Sequence, residues 1–101
     1  MALDLTLKKS ETEGELKLSG RMDATTAPAA QAKMLELGEE FDSVVLDFSE
    51  LEYISSAGLR ALKALRGQMR KKGGKLALKS VTPGVMEVFE VTGFSSLFTF
   101  I

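Results

Sequence analysis

The feature that most limits what this chain can fold into is the order in which two hydrophobic periodicities follow one another. Leu3, Leu5 and Leu7 alternate with polar residues, and Leu16 and Leu18 do the same against Glu15, Lys17 and Ser19. A period of two is the mark of strands half-buried on a sheet. Between the runs lies Glu11-Thr12-Glu13-Gly14, a turn in which Gly14 is expected to supply a positive φ.

After Gly20 the period changes. Asp23 and Thr25 are good helix caps, and Pro28 falls where a first helical turn has no use for an N–H. Ala29, Ala32, Met34, Leu35 and Leu37 then predict a helix ending at Gly38. Val44-Val45-Leu46-Asp47-Phe48 is a short, nearly continuous apolar run, as expected of a central strand covered on both faces. A second helix begins at Ser55 or Ser56, carries Leu59, Leu62, Leu65 and Met69 at helical spacing, and stops at Gly73-Gly74. Lys75–Lys79 predicts another strand. Thr82-Pro83 then opens a helix with Val85, Met86, Phe89 and Val91 on its apolar face, closed by Gly93. The apolar tail from Phe94 to Ile101 reads as a short helix or turn against the core.

A hairpin followed by helix, strand, helix, strand and helix requires crossovers between parallel strands, with the hairpin as an antiparallel edge. The expected fold is therefore α/β: a mixed sheet with an N-terminal hairpin, followed by alternating helices and parallel strands. At 101 residues, 45% apolar and 27% charged, the chain reads as a single domain over 1–101 that folds without metal or disulfide.

What is missing removes whole classes of chemistry. There is no Cys and no His, hence no thiol nucleophile, no imidazole base and no usual zinc ligand. No phosphate-cradling glycine loop is present either, so the chain reads as a non-enzyme without metal or cofactor. A formal charge of −1 argues against nucleic acid as a partner, although Arg66, Arg70, Lys71, Lys72 and Lys75 form a basic run at the end of the second helix. Cations complement a helix dipole there. MALDLTLKKS lacks a secretory layout and no apolar run reaches the roughly 20 residues of a span, so a cytoplasmic location without membrane insertion is the default. Nothing in the composition demands oligomerisation, and a monomer is expected for the free chain.

In open parallel sheets, ligands meet the protein beyond the carboxyl ends of the strands. Two loops are expected there, Ser49–Ser56 and Val81–Pro83. The first is the richer: Tyr53-Ile54-Ser55-Ser56-Ala57-Gly58-Leu59 places two hydroxyls where the chain enters a helix, at the positive end of its dipole. On its local chemistry alone such a serine is a helix cap. Asp23 is likewise either a cap or a carboxylate that meets an approaching partner. Glu50 and Glu52 resemble an acid pair but flank a turn and have no accompanying base.

Taken together, Gly20-Arg21-Met22-Asp23, Val44-Val45-Leu46-Asp47-Phe48-Ser49 and Tyr53 to Leu59 resemble the STAS domain, and more narrowly the bacterial anti-sigma factor antagonists. Lys71 to Leu78 and Phe89-Glu90-Val91-Thr92-Gly93-Phe94 fit the same family, so the resemblance spans essentially the whole chain. It implies a mixed sheet flanked by helices. It implies a partner switch in which the unphosphorylated chain binds an anti-sigma factor serine kinase and frees the sigma factor. The kinase then phosphorylates a loop serine, and a serine phosphatase reverses the change. The matching position is Ser56, with Asp23, Ile54, Ser55, Ala57, Gly58 and Leu59 as partner-binding positions. The loop departs from the switch motif in having Ser55 where an Asp is usual and Ala57 where Ser or Thr is usual. STAS domains that serve as unphosphorylated subunits of lipid-transport ATPases or other transporter complexes give the alternative expectation.

Overall fold

The computed structural model describes residues 3–101; Met1 and Ala2 of the N-terminal stretch lie outside the described residues. Strand β1 (Leu3–Lys9) and strand β2 (Gly14–Met22) form the expected antiparallel hairpin. Helix α1 (Ala27–Glu40), strand β3 (Ser43–Ile54), helix α2 (Ser56–Lys71), strand β4 (Lys75–Lys79) and helix α3 (Pro83–Thr92) follow. A 3-10 turn (Phe94–Leu97) leads into strand β5 (Thr99–Phe100), which pairs parallel to β4. The tail is thus a turn plus a fifth strand, not a helix or turn alone.

The five strands lie in sequence order, β1-β2-β3-β4-β5, antiparallel in the hairpin and parallel thereafter. Since the order never reverses, right-handed crossovers put all three helices on the same face. The registers agree with this. Leu7, Leu16, Leu46, Leu78 and Phe100 form one cross-strand row, and its three central members are wholly buried. Phe48, two residues along from Leu46, stacks on Phe89 of α3 at 6.3 Å. The opposite face carries Lys17, Asp47 and Lys79 in register, with Lys17 paired to Glu50 at 3.0 Å and Lys79 to Glu15 at 3.5 Å. The central strand is therefore covered by helices on one face only. Val45 is still buried on the charged face, between Glu15 and Ala77 in register.

Three local expectations change. Gly14 does not take the left-handed conformation. The Ser10 hydroxyl accepts the N–H groups of Thr12 and Glu13 to form the turn, and Gly14 lies in β2. A Cβ there would come within 2.6 Å of Leu37 Cδ1, so the glycine permits a close approach of α1. Helix α1 also runs through Gly38 to Glu40, with Gln68 of α2 pressed against Gly38 and donating to the Leu35 carbonyl at 2.9 Å. In α3, Val85 and Phe89 are buried whereas Val91 is 78% exposed, so Val91 is not part of the packed face. Among the described residues no helix is long and apolar enough to cross a membrane.

Candidate functional site

The carboxyl ends of β2 and β3 meet directly. Met22 pairs with Ile54, and the Ser55 N–H donates to the Met22 carbonyl at 2.9 Å. This backbone bond holds the Asp23 turn beside the serines. The connection from β3 to α2 is far tighter than a Ser49–Ser56 loop, because β3 continues to Ile54 and only Ser55 separates it from the helix. Glu50 and Glu52 lie in the strand and flank no turn. Glu50 is engaged by Lys17, whose hydrogen bond holds the carboxyl below its ordinary range, as expected of a structural ion pair.

The two serines divide the work. Ser55 is the N-cap, in extended conformation, and its Oγ accepts the Gly58 N–H at 3.3 Å. Ser56 is the first helical residue and is exposed. Gly58 is needed because the helix entrance presses on the sheet: a Cβ there would lie 2.7 Å from Ile54 Cγ1 and 2.8 Å from Met22 Sδ. Close side chains explain this glycine.

Ile54 and Leu59 are only 2% and 4% exposed, and Gly58 is also buried. Ile54 and Leu59, two of the positions expected to meet a partner, present no open apolar surface here. They are core residues that fix the shape of the turn, because a one-residue connection cannot lift its neighbours out of the sheet. Ala57 is half-buried and reaches the surface. It lines a shallow groove of about 500 Å³ between α1 and α2, with Ala24, Ala27, Pro28 and Arg60.

Asp23 is not the residue that begins α1; that position is Thr26, whose side chain caps nothing. The Asp23 carboxylate instead accepts the Thr25 hydroxyl at 2.7 Å, the Thr25 N–H at 3.0 Å and the Thr26 N–H at 3.2 Å. The Thr25 hydroxyl, then the Thr25 N–H, hold this carboxyl below its ordinary range. Thr26 ties the turn down by donating to the Arg21 carbonyl at 2.9 Å.

Arg21 and Tyr53 stand within the motifs but have no role of their own in the sequence reading. They are in register on β2 and β3, and the guanidinium lies 4.4 Å from the ring centroid. Both are exposed beside the serine turn, so the rim carries a fixed cation and an aromatic ring. The signal was available: Arg21 precedes Asp23 by two residues and Tyr53 precedes Ser55 by two, on strands that had to pair. Among the described residues no three acids gather to hold a metal ion. This end of the sheet offers hydroxyls, one ordered carboxylate and a small apolar groove.

Comparison with known proteins supplies the kinship. The family model described as "Mlab, STAS domain" matches residues 5–99. A Bordetella bronchiseptica protein named "Putative anti-sigma factor antagonist BtrV" is 37% identical over 99 residues, covering 95% of this chain and 84% of its own length. The crystal structure of an anti-sigma factor antagonist from Mycobacterium paratuberculosis superposes with a TM-score of 0.87 at 22% identity, covering 98% of this chain and 85% of that one. The Bacillus cell-fate determinant SpoIIAA in its phosphorylated form does so with a TM-score of 0.75 at 16% identity, covering 97% and 91%. Motif order, fold and kinship agree: the chain belongs to the STAS domain family, on the branch of the anti-sigma factor antagonists.

Proposed function

We propose that this chain is an anti-sigma factor antagonist whose binding to an anti-sigma factor serine kinase is switched off by phosphorylation of Ser56 and restored by a serine phosphatase. The observation that carries this reading is the division between the two serines. Ser55 supplies the cap, so the exposed Ser56 hydroxyl is left without a structural duty at the entrance of α2. The kinship adds support, since SpoIIAA is a protein known in a phosphorylated form.

The energetics favour a switch. A phosphate on Ser56 brings about −1.5 to −2 charges and three acceptors. The helix dipole returns roughly 0.3–1 kcal/mol of stabilisation, and Arg60, one turn further on, about 0.2–0.5 kcal/mol more. Burying that charge against a partner removes its water, which costs several kcal/mol unless the partner supplies cations. At about 1.4 kcal/mol per factor of ten, a penalty of 3–4 kcal/mol weakens binding roughly 100- to 1,000-fold. Desolvation therefore outweighs the local gain. In this scheme the chain is the substrate of an enzyme and carries out no catalysis itself, and Asp23, Ala57 and the α1–α2 groove form the surface that the partner meets.

Titrating the unphosphorylated chain and its Ser56→Asp variant against the kinase partner tests this. Ser56→Asp should bind at least about tenfold more weakly; equal affinity would count against the switch. A second reading, a transporter subunit that is never phosphorylated, is favoured by Ser55 standing where the switch motif carries an acid. Capture of a transport ATPase by a Ser56→Ala variant as well as by the wild type would support it.

A further inference from the structure

Strand β5 pairs with β4 at only two positions, Ala77 with Thr99 and Leu78 with Phe100. Upstream of these the chains diverge, and Lys75 and Leu76 are left without a strand partner on that side. The gap is an open groove of about 510 Å³ at the amino ends of the parallel strands, the end of the sheet away from Ser56. This volume falls in the ordinary range for small-ligand sites, about 300–1,000 Å³.

The lining has two chemistries. Met69, Leu76, Leu97, Phe98 and Ile101 make an apolar wall, and Ile101 remains 66% exposed. Arg66, Arg70 and Lys75 make a cationic rim. Arg66 and Arg70 share a face of α2, one turn apart. The Arg66 guanidinium is fixed by donating Nε–H to the Leu97 carbonyl at 2.7 Å, which also pins the turn before β5. None of the three cations forms an ion pair among the described residues, and Glu13 is the one acidic side chain in the lining. Helix α2 contains no acidic residue at all, so nothing on it neutralises this rim.

Uncompensated cations normally lie apart in water. Here they border apolar surface, in a groove whose only uncharged polar side chains are Ser43 and Thr99. That is too few hydrogen-bonding groups to read a nucleobase, and the wall suits a flexible hydrocarbon. We propose that this groove binds a single-chain amphipathic anion, with its acyl chain against Met69, Leu76, Phe98 and Ile101 and its carboxylate or phosphate head on Arg66, Arg70 and Lys75. The arginines favour such heads because a guanidinium can donate two parallel hydrogen bonds to either. The basic run at the end of α2, which the partner switch does not use, acquires a ligand in this way.

The experiment is an amide-resolved NMR titration of the full chain with decanoate, decyl phosphate, 1-decanol and inorganic phosphate. Decanoate or decyl phosphate should shift amides around Leu76 and Leu97, and at least one should bind tenfold or more tightly than both decanol and inorganic phosphate. Whichever head binds better identifies the source, a fatty acid or a phosphate monoester. The double variant Arg70→Glu/Lys75→Glu should lose at least tenfold in affinity, with Arg70→Gln/Lys75→Gln as the milder version if charge reversal prevents folding. The proposal is overturned if neither amphiphile shifts these amides, if decanol or phosphate alone binds as tightly, if the variants bind like the wild type, or if the shifts map to the α1–α2 groove.

Discussion

Substituting Ser55 by Ala removes the Oγ that accepts the Gly58 N–H at 3.3 Å. Loss of such a cap destabilises by about 0.5–2 kcal/mol, and the long contact puts this one at about 0.5–1 kcal/mol. Thermal unfolding should fall by roughly 2–8 °C. Ser56→Ala removes an exposed hydroxyl and should change stability by less than about 0.5 kcal/mol. The pair of melting curves thus separates the capping serine from the one proposed as the phosphorylation site. Asp23 gives a pH test. Its folded carboxyl titrates below the unfolded value of about 3.9. The stability it contributes is therefore present above that unfolded value and is lost as pH falls through the folded one. The difference in melting temperature between wild type and Asp23→Ala should be full at neutral pH and shrink below about pH 4. A difference that grew on acidification would contradict the hydrogen bonds drawn from Thr25 and Thr26.

At the scale of elements, the entrance to α2 is where close packing decides most. Gly58→Ala improves helix propensity by about 1 kcal/mol but forces a methyl group against Ile54 and Met22, an overpacking that costs about 1–3 kcal/mol. The net effect should be a loss of roughly 1 kcal/mol in urea unfolding, where a surface helix glycine would show a gain. The same entrance marks how far sequence alone could be read. The hairpin, three helices, β4 and the stops at Gly73 and Gly93 followed from periodicity and turn chemistry, whereas α1 runs past the stop expected at Gly38. Strand β3 beyond Phe48 did not, because register shifts between Lys17 and Ser19 and between Gly20 and Arg21 change its buried positions to Phe48, Leu51 and Ile54. A spacing of three looks like neither a strand nor a loop. Strand β5 was hidden for another reason: two paired residues in a uniformly apolar tail show no alternation. The serines were legible as a cap region, but only the fold shows that Ser55 has the cap and that Ile54 and Leu59 are inside.

Over the whole molecule, the parallel sheet and α3 are joined through Phe89. This ring is fully buried and meets Phe48 at 6.3 Å, Phe98 at 5.8 Å and Phe100 at 5.5 Å. Phe89→Ala should cost about 3–5 kcal/mol, a large share of the 5–15 kcal/mol typical of a domain, and bring the urea midpoint down accordingly. The loss should exceed that of any substitution at the serine turn, because the proposed switch rests on an exposed hydroxyl and stability rests on the aromatic core. The switch itself is tested most directly by locating the phosphate. The unphosphorylated chain is incubated with its kinase partner and ATP, digested, and sequenced by tandem mass spectrometry. The expected result is a single phosphate on Ser56, with none on Ser56→Ala. Phosphate on Ser55, or on no hydroxyl of the turn, would contradict it.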